Sequence, residues 1–200
     1  MLQGGAGQIE ALRDLPDVTS KGIAIICHPH PLFGGTMDNK VVQTLARAFV
    51  QTGWTALRFN FRGIGQSAGV YDEGRGEAED LRTLIGQLAP TGSALAIAGF
   101  SFGSFVASQV LGEAAQSHDL QKIVMVGTAA SRFSVANIPA DLHEKLLVVH
   151  GEQDDTVLLA SVMDWARPQV IPITIVPGGG HFFHGQLPLL RGLVARHLLS

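Results

Sequence analysis

Charge is scarce in this chain. Asp, Glu, Lys and Arg make up only 16% of the 200 residues, against 46% hydrophobic residues. That balance excludes a disordered, self-repelling polymer and supplies enough apolar surface for a well-buried core. No basic excess is present either: the formal net charge is −3, so nothing cationic argues for nucleic acid as a partner. Cysteine is nearly absent. The lone Cys27 can form no intrachain disulfide, which fits a reducing compartment. No uninterrupted apolar run reaches the length of a membrane span. The opening "MLQGGAGQIEALRDLP" has neither the basic start nor the apolar core of a secretory signal. The expectation is one cytoplasmic domain over residues 1–200, monomeric or homodimeric, with no membrane and no nucleic acid among its partners.

What is present is an alternation. Short apolar runs at 22–27, 55–61, 94–100, 122–127, 145–151 and 170–177 read as strands, and "QIEAL" (8–12) as a further edge strand. Most are apolar on consecutive residues, as strands covered on both faces must be. Amphipathic stretches lie between them, at 39–53, 77–89, 101–115, 156–166 and 185–199. In the second, Leu81, Leu84, Ile85 and Leu88 fall on one helical face. Strand and helix taking turns predicts an α/β fold with a mostly parallel central sheet and helices on both faces.

One turn in that alternation carries chemistry. Gly99-Phe100-Ser101-Phe102-Gly103 fits G-x-S-x-G, with a strand before it and a helical pattern after it. A side chain two residues either side of the serine would collide across so sharp a turn, and glycine removes both collisions. The plainer alternative is a serine that only caps the helix. Ser93 and Ser104 lack the flanking glycines.

A serine hydroxyl needs a base within reach and a third group to orient that base. Ligands of such sheets gather at the carboxyl ends of the strands. "LLVVHGEQDD" places Asp154 just past one strand, and "TIVPGGGH" places His181 just past the last. Asp155 is the alternative acid, although it better suits the cap of the next helix. His184 is the alternative base, although the spacing predicts that it already lies inside the final helix. His150 ends a buried strand and reads as a hydrogen-bonded core residue.

An oxyanion needs two fixed donors. One is the backbone N–H of Phe102, after the serine. The other belongs to the loop "CHPHPLFGGTMDN". Pro29 and Pro31 have no N–H, which leaves His30 and Leu32, with His30 favoured. His28, His30, His181 and His184 also offer imidazoles to a metal, but no carboxylate cluster accompanies them. "RGIGQSAG" lacks the Lys-Ser/Thr of a phosphate loop. It reads as a rim loop, with Arg62 pairing a carboxylate or the loop backbone. No cofactor and no metal is expected.

Taken together, "CHPHPLFGGTMDNKVV", "FNFRGIGQSAG", "GFSFGS" and "GEQDD" resemble the α/β-hydrolase superfamily. The likeness is greatest to its small, lidless bacterial group, related to dienelactone hydrolases and acyl-peptidase-like esterases. The resemblance implies a triad of Ser101, Asp154 and His181 and an oxyanion hole at Phe102 and His30. It implies a serine hydrolase of small or accessible carboxylic esters. Thioesterase and peptidase activity on the same triad, and a non-catalytic binding protein on the same scaffold, are the alternatives. About twenty residues join the strands at 122–127 and 145–151, too few for the helical cap that many relatives insert there. The site is therefore expected to be open, walled by loops 29–38, 62–74 and 128–140. Phe33, Phe102, Phe133 and Phe182 are expected to line it.

Overall fold

In the sequence Gly22-Ile-Ala-Ile-Ile-Cys27, Ile23, Ile25 and Cys27 face one side of a strand and Ala24 and Ile26 the other, and all five are buried. A strand covered on both faces belongs inside a sheet with helices above and below. The computed structural model, which describes residues 1–200, has that arrangement. In chain order the elements are β1 (Leu2–Gly4), β2 (Gly7–Ile9), β3 (Ala11–Asp14), β4 (Gly22–Cys27), α1 (Lys40–Gln51), β5 (Thr55–Phe59), α2 (Arg75–Leu88) and β6 (Ala94–Phe100). There follow α3 (Phe102–Ser108), α4 (Leu111–Ser117), β7 (Asp119–Val126), β8 (Leu146–Gly151), α5 (Leu159–Ala166), β9 (Ile173–Val176) and α6 (Leu187–Leu199).

Seven strands form one sheet in the order β3-β5-β4-β6-β7-β8-β9. Only β3 runs antiparallel, against β5; every other pairing is parallel. From β4 the chain steps outward to β5, then back across β4 to β6. That reversal opens a crevice at the carboxyl ends of the central strands. Helices α1 and α6 cover one face through Val42, Leu45, Phe49, Leu190 and Val194. Helices α2, α3, α4 and α5 cover the other, through residues such as Leu81, Leu84, Val106, Leu111 and Val162. No helix is long and apolar enough to cross a membrane.

Local signals account for several boundaries. The Asn39 side chain accepts the Val41 N–H and starts α1. Glu77, fully buried, accepts the N–H groups of Asp72 and Gly74 and fixes the entry to α2. Arg62 makes a two-pronged ion pair with Asp80 of α2, tying loop 62–74 to that helix.

Four expectations need correction. "QIEAL" is not one strand: it divides between β2, paired with β1 in a separate hairpin, and β3. The strand expected at 170–177 is shorter, because Val170 is left-handed (φ 56°) after a helical turn at Arg167–Gln169. The run at 55–61 leaves the sheet after Phe59. The helix expected at 101–115 is two helices. At the break Gln109 and Val110 donate to Val106 and Ala107, three residues back, and the Ser108 hydroxyl accepts the Ala136 N–H from a distant loop. The Ser108 hydroxyl itself donates to Phe105 O at 2.7 Å, a local side-chain bond of the kind that competes with the helical ladder.

Candidate active site

The carboxyl ends of β4, β6, β7, β8 and β9 surround one cavity of about 370 Å³. Ser101, between β6 and α3, has φ 55° and ψ −115°, a backbone state that a residue with a side chain rarely holds. A Cβ on Gly99 would collide with the Gly103 carbonyl, and one on Gly103 with the Cys27 carbonyl. Both glycines are therefore sterically required by this turn. The Ser101 N–H donates to Val126 O at 2.8 Å, which locks the turn to β7. Its side chain faces the cavity, and the residue is 7% exposed. Ser104 is fully buried instead, with its hydroxyl donating to Gly99 O at 2.8 Å.

His181 follows β9 and lines the same cavity. Its ring packs between Phe100 and Phe182, with centroids at 4.9 and 5.0 Å. Gly127 (φ 54°) lies beneath it, and a Cβ there would come within 3.2 Å of the ring. Nδ1 of His181 is 2.7 Å from Asp154 Oδ2. An ionised carboxylate only accepts, so Nδ1 carries the proton and Nε2 is left bare. Ser101 and His181 make no direct hydrogen bond. Such hydroxyl–imidazole contacts often tighten only when an acyl group is bound.

Asp154 is buried, and its other oxygen, Oδ1, accepts the N–H groups of Thr156 and Val157 at 3.0 and 2.7 Å. Burial alone would raise its pKa. The hydrogen bonds from His181 and Val157, with the two nearby imidazoles, outweigh burial and hold it below the usual carboxylate value. It is thus ionised at neutral pH. Asp155 is exposed and caps no helix; α5 begins after Leu158, later than expected. His184 is exposed in a turn ahead of α6, not inside that helix. Its exclusion from the site is a matter of direction, since it does not line the cavity.

The loop after β4 is stiffened from within. His28 is fully buried: Phe61 N–H donates to Nε2 at 2.9 Å, and Nδ1 donates to Pro29 O at 2.6 Å. Burial pushes its pKa down to about 4, against the opposing pull of the Pro29 bond. Both nitrogens are occupied, and no three His, Cys, Asp or Glu side chains converge as metal ligands. His30 lines the cavity and caps a short helical turn at Pro31–Phe33, where Leu32 N–H donates to its Nδ1 at 3.2 Å. Its Nε2 lies 3.2 Å from the Tyr71 hydroxyl. The backbone N–H groups of Phe102 and His30 have no acceptor within the protein.

Phe33, Phe102, Phe133 and Phe182 all line the cavity. Loop 62–74 does not; it stands behind the wall, where Tyr71 packs on His30 and Phe102 at 5.0 and 5.8 Å. Sequence reasoning did not single out Asn39, Ala129, Arg132, Thr156 and Val157, which complete the lining. No motif marks them, because each reaches the cavity from a loop whose path is set by the sheet. Arg132 is the one cation among the lining residues, and no Asp or Glu joins it there.

Similar proteins share this frame. The family model of serine aminopeptidase S33 matches residues 19–149, which include Ser101 and stop short of Asp154 and His181. Protein RP471 of Rickettsia prowazekii (strain Madrid E) is 40% identical over 111 residues, 54% of this chain and 47% of its own length. The chain thus spans about half of that relative. Two solved structures match nearly end to end. XC6422 from Xanthomonas campestris, an a/b serine hydrolase without lid, is 37% identical, with coverage of 99% of this chain and 91% of its own and a TM-score of 0.85. An alpha-beta serine hydrolase homologue from Coxiella burnetii is also 37% identical, with coverage of 98% and 95% and a TM-score of 0.83.

Proposed function

The chain belongs to the α/β serine hydrolases, in the family of serine aminopeptidase S33, and from that premise we propose that it hydrolyses small or accessible carboxylic esters through an acyl-enzyme on Ser101. The observation that carries the reading is the buried Asp154–His181 pair at 2.7 Å, opening on the cavity that also exposes the Ser101 hydroxyl.

The chemistry follows from the tautomer. His181 Nε2, bare because Asp154 holds the proton on Nδ1, takes the proton of Ser101 Oγ as the oxygen attacks the ester carbonyl. The imidazolium so formed is balanced by the ionised Asp154. The carbonyl oxygen becomes an oxyanion, and the free N–H groups of Phe102 and His30 are the donors available to it. His181 then returns the proton to the leaving alkoxide, and the acyl group stays on Ser101. Water, deprotonated in turn by His181, releases the acid.

An ester fits the cavity better than the amino-terminal peptide of an aminopeptidase. A free α-ammonium drawn from water is best balanced by a carboxylate. The lining offers an arginine, aromatic rings and no carboxylate. The test is a fluorophosphonate probe followed by steady-state kinetics. Labelling should occur on Ser101 and vanish in Ser101→Ala. p-Nitrophenyl butyrate should turn over faster than amino-acid p-nitroanilides. No adduct would mean a binding protein on a hydrolase scaffold; faster anilide cleavage would mean a peptidase.

A further inference from the structure

His150 is the penultimate residue of β8, and the four strand residues before it are aliphatic. It is fully buried, and its Nδ1 has no hydrogen-bond partner at all. An orphaned buried nitrogen is a defect that a valine would not introduce. The other nitrogen explains its presence. Nε2 lies 2.9 Å from Val157 O and 3.5 Å from Asp154 Oδ2. Both are acceptors, so Nε2 carries the proton and Nδ1 is bare.

We infer that His150 is a positioning residue for the acid: its Nε2–H ties the Asp154–Val157 turn to β8 and turns the positive end of an N–H dipole toward the outer edge of the Asp154 carboxylate. Val157 is thereby gripped at both ends. Its N–H donates to Asp154 Oδ1 at 2.7 Å, and its carbonyl accepts from His150. Oδ2 of the carboxylate lies 2.7 Å from His181 Nδ1 and 3.5 Å from His150 Nε2. Rotation of the acid away from His181 then requires the Val157 grip to break. His150 stays neutral in this place, because burial disfavours its charge and a proton on Nδ1 would meet no acceptor. It touches neither the cavity nor the reacting atoms.

The inference rests on the role proposed for Asp154, and the experiment separates the two. Glutamine places an N–H near the site of imidazole Nε2, whereas asparagine mimics Nδ1. With p-nitrophenyl butyrate, His150→Asn should lower kcat about 3- to 10-fold, the loss of one hydrogen bond to the Val157 carbonyl that holds the acid's turn, with KM little changed. His150→Gln should recover most of that loss. In an Asp154→Asn background, His150→Asn should add less than about a twofold further loss. An equal loss in both backgrounds, no loss in the first, or no recovery by glutamine overturns the inference. An Asp154→Asn protein with undiminished turnover would instead bring down the triad reading. Nitrogen-15 spectra of the imidazoles in the intact protein decide the matter even where a variant fails to fold. His150 should carry its proton on Nε2, and a proton on Nδ1 overturns the assignment.

Discussion

Asp154 Oδ2 and His181 Nδ1 lie 2.7 Å apart, although 27 residues separate them in the chain. The partner oxygen Oδ1 is engaged by two backbone N–H groups. An asparagine at 154 would keep those two bonds only by presenting its amide N–H₂ to His181. The imidazole would then have to accept at Nδ1 and place its proton on Nε2, facing Ser101. Asp154→Asn is expected to lower kcat by on the order of 10⁴, as wrong-tautomer variants do. Asp155→Asn, at an exposed position, should stay within severalfold of the parent. Steady-state kinetics of both variants check the ranking, and the reverse order would identify Asp155 as the acid.

At Ser101 the backbone strain and the chemistry separate by mutation. Ser101→Ala should abolish ester turnover and leave the melting temperature within a few degrees, because the glycines that permit φ 55° remain. Gly103→Ala should do the opposite damage first. Its new methyl group meets the Cys27 carbonyl inside the sheet, so the turn must distort. The expected cost is a few kcal/mol, in the range of core overpacking. Calorimetry distinguishes the two, and a Gly103→Ala protein as stable as the parent would contradict the packing described for this turn.

Acid stability should depend on His28. Its folded pKa is pushed down to about 4, below the ordinary value of 6.5. The unfolded chain therefore binds a proton that the folded one refuses, and stability is lost as pH falls from about 6.5 toward 4. One such group corresponds to on the order of 3 kcal/mol over that window. Burial also depresses the pKa values of His150 and His197, so they act in the same direction. Denaturant midpoints measured from pH 7.5 to 4 should fall, and the fall should be shallower in His28→Asn. An identical slope in the variant would assign the acid lability elsewhere.

The cavity also limits acyl length. It is about 370 Å³, and its walls are loops rather than an inserted helical cap, since only a 3₁₀ turn at Ala140–Lys145 lies between β7 and β8. Each added methylene gains about 0.8 kcal/mol only while wall remains to bury it. kcat/KM along the p-nitrophenyl series should hold or rise from acetyl to about butyryl or hexanoyl and then fall. A continued rise to palmitoyl would require an acyl tunnel that this fold does not contain.

The layered architecture was legible because it follows from composition at each position. Consecutive apolar residues in Gly22–Cys27 and Ala94–Phe100 demand cover on both faces, and amphipathic stretches between them supply it. The turn at Ser101 was legible for a local reason too: only glycine fits on either side of it. The break between α3 and α4 was not legible, because the Ala136 N–H that the Ser108 hydroxyl accepts at this break comes from 28 residues away. Nor was the place of His184, in a turn that precedes α6 and is closed by the Gln186 N–H donating to Phe183 O.

Short-range sterics and hydrophobic pattern thus determined, from sequence alone, that a serine stands on a strained turn at the end of a buried parallel strand. Only the tertiary structure decided which carboxylate meets His181, that Tyr71 stands behind His30 rather than in the cavity, and that the imidazole of His150 faces the acid. Each of these is a contact between side chains carried beyond the strand ends of the sheet, whose order β5-β4-β6-β7-β8-β9 sets the loops side by side. Their distances depend on how far each loop runs beyond its strand before it turns back, a quantity that hydrogen bonds between distant segments fix and no local pattern encodes.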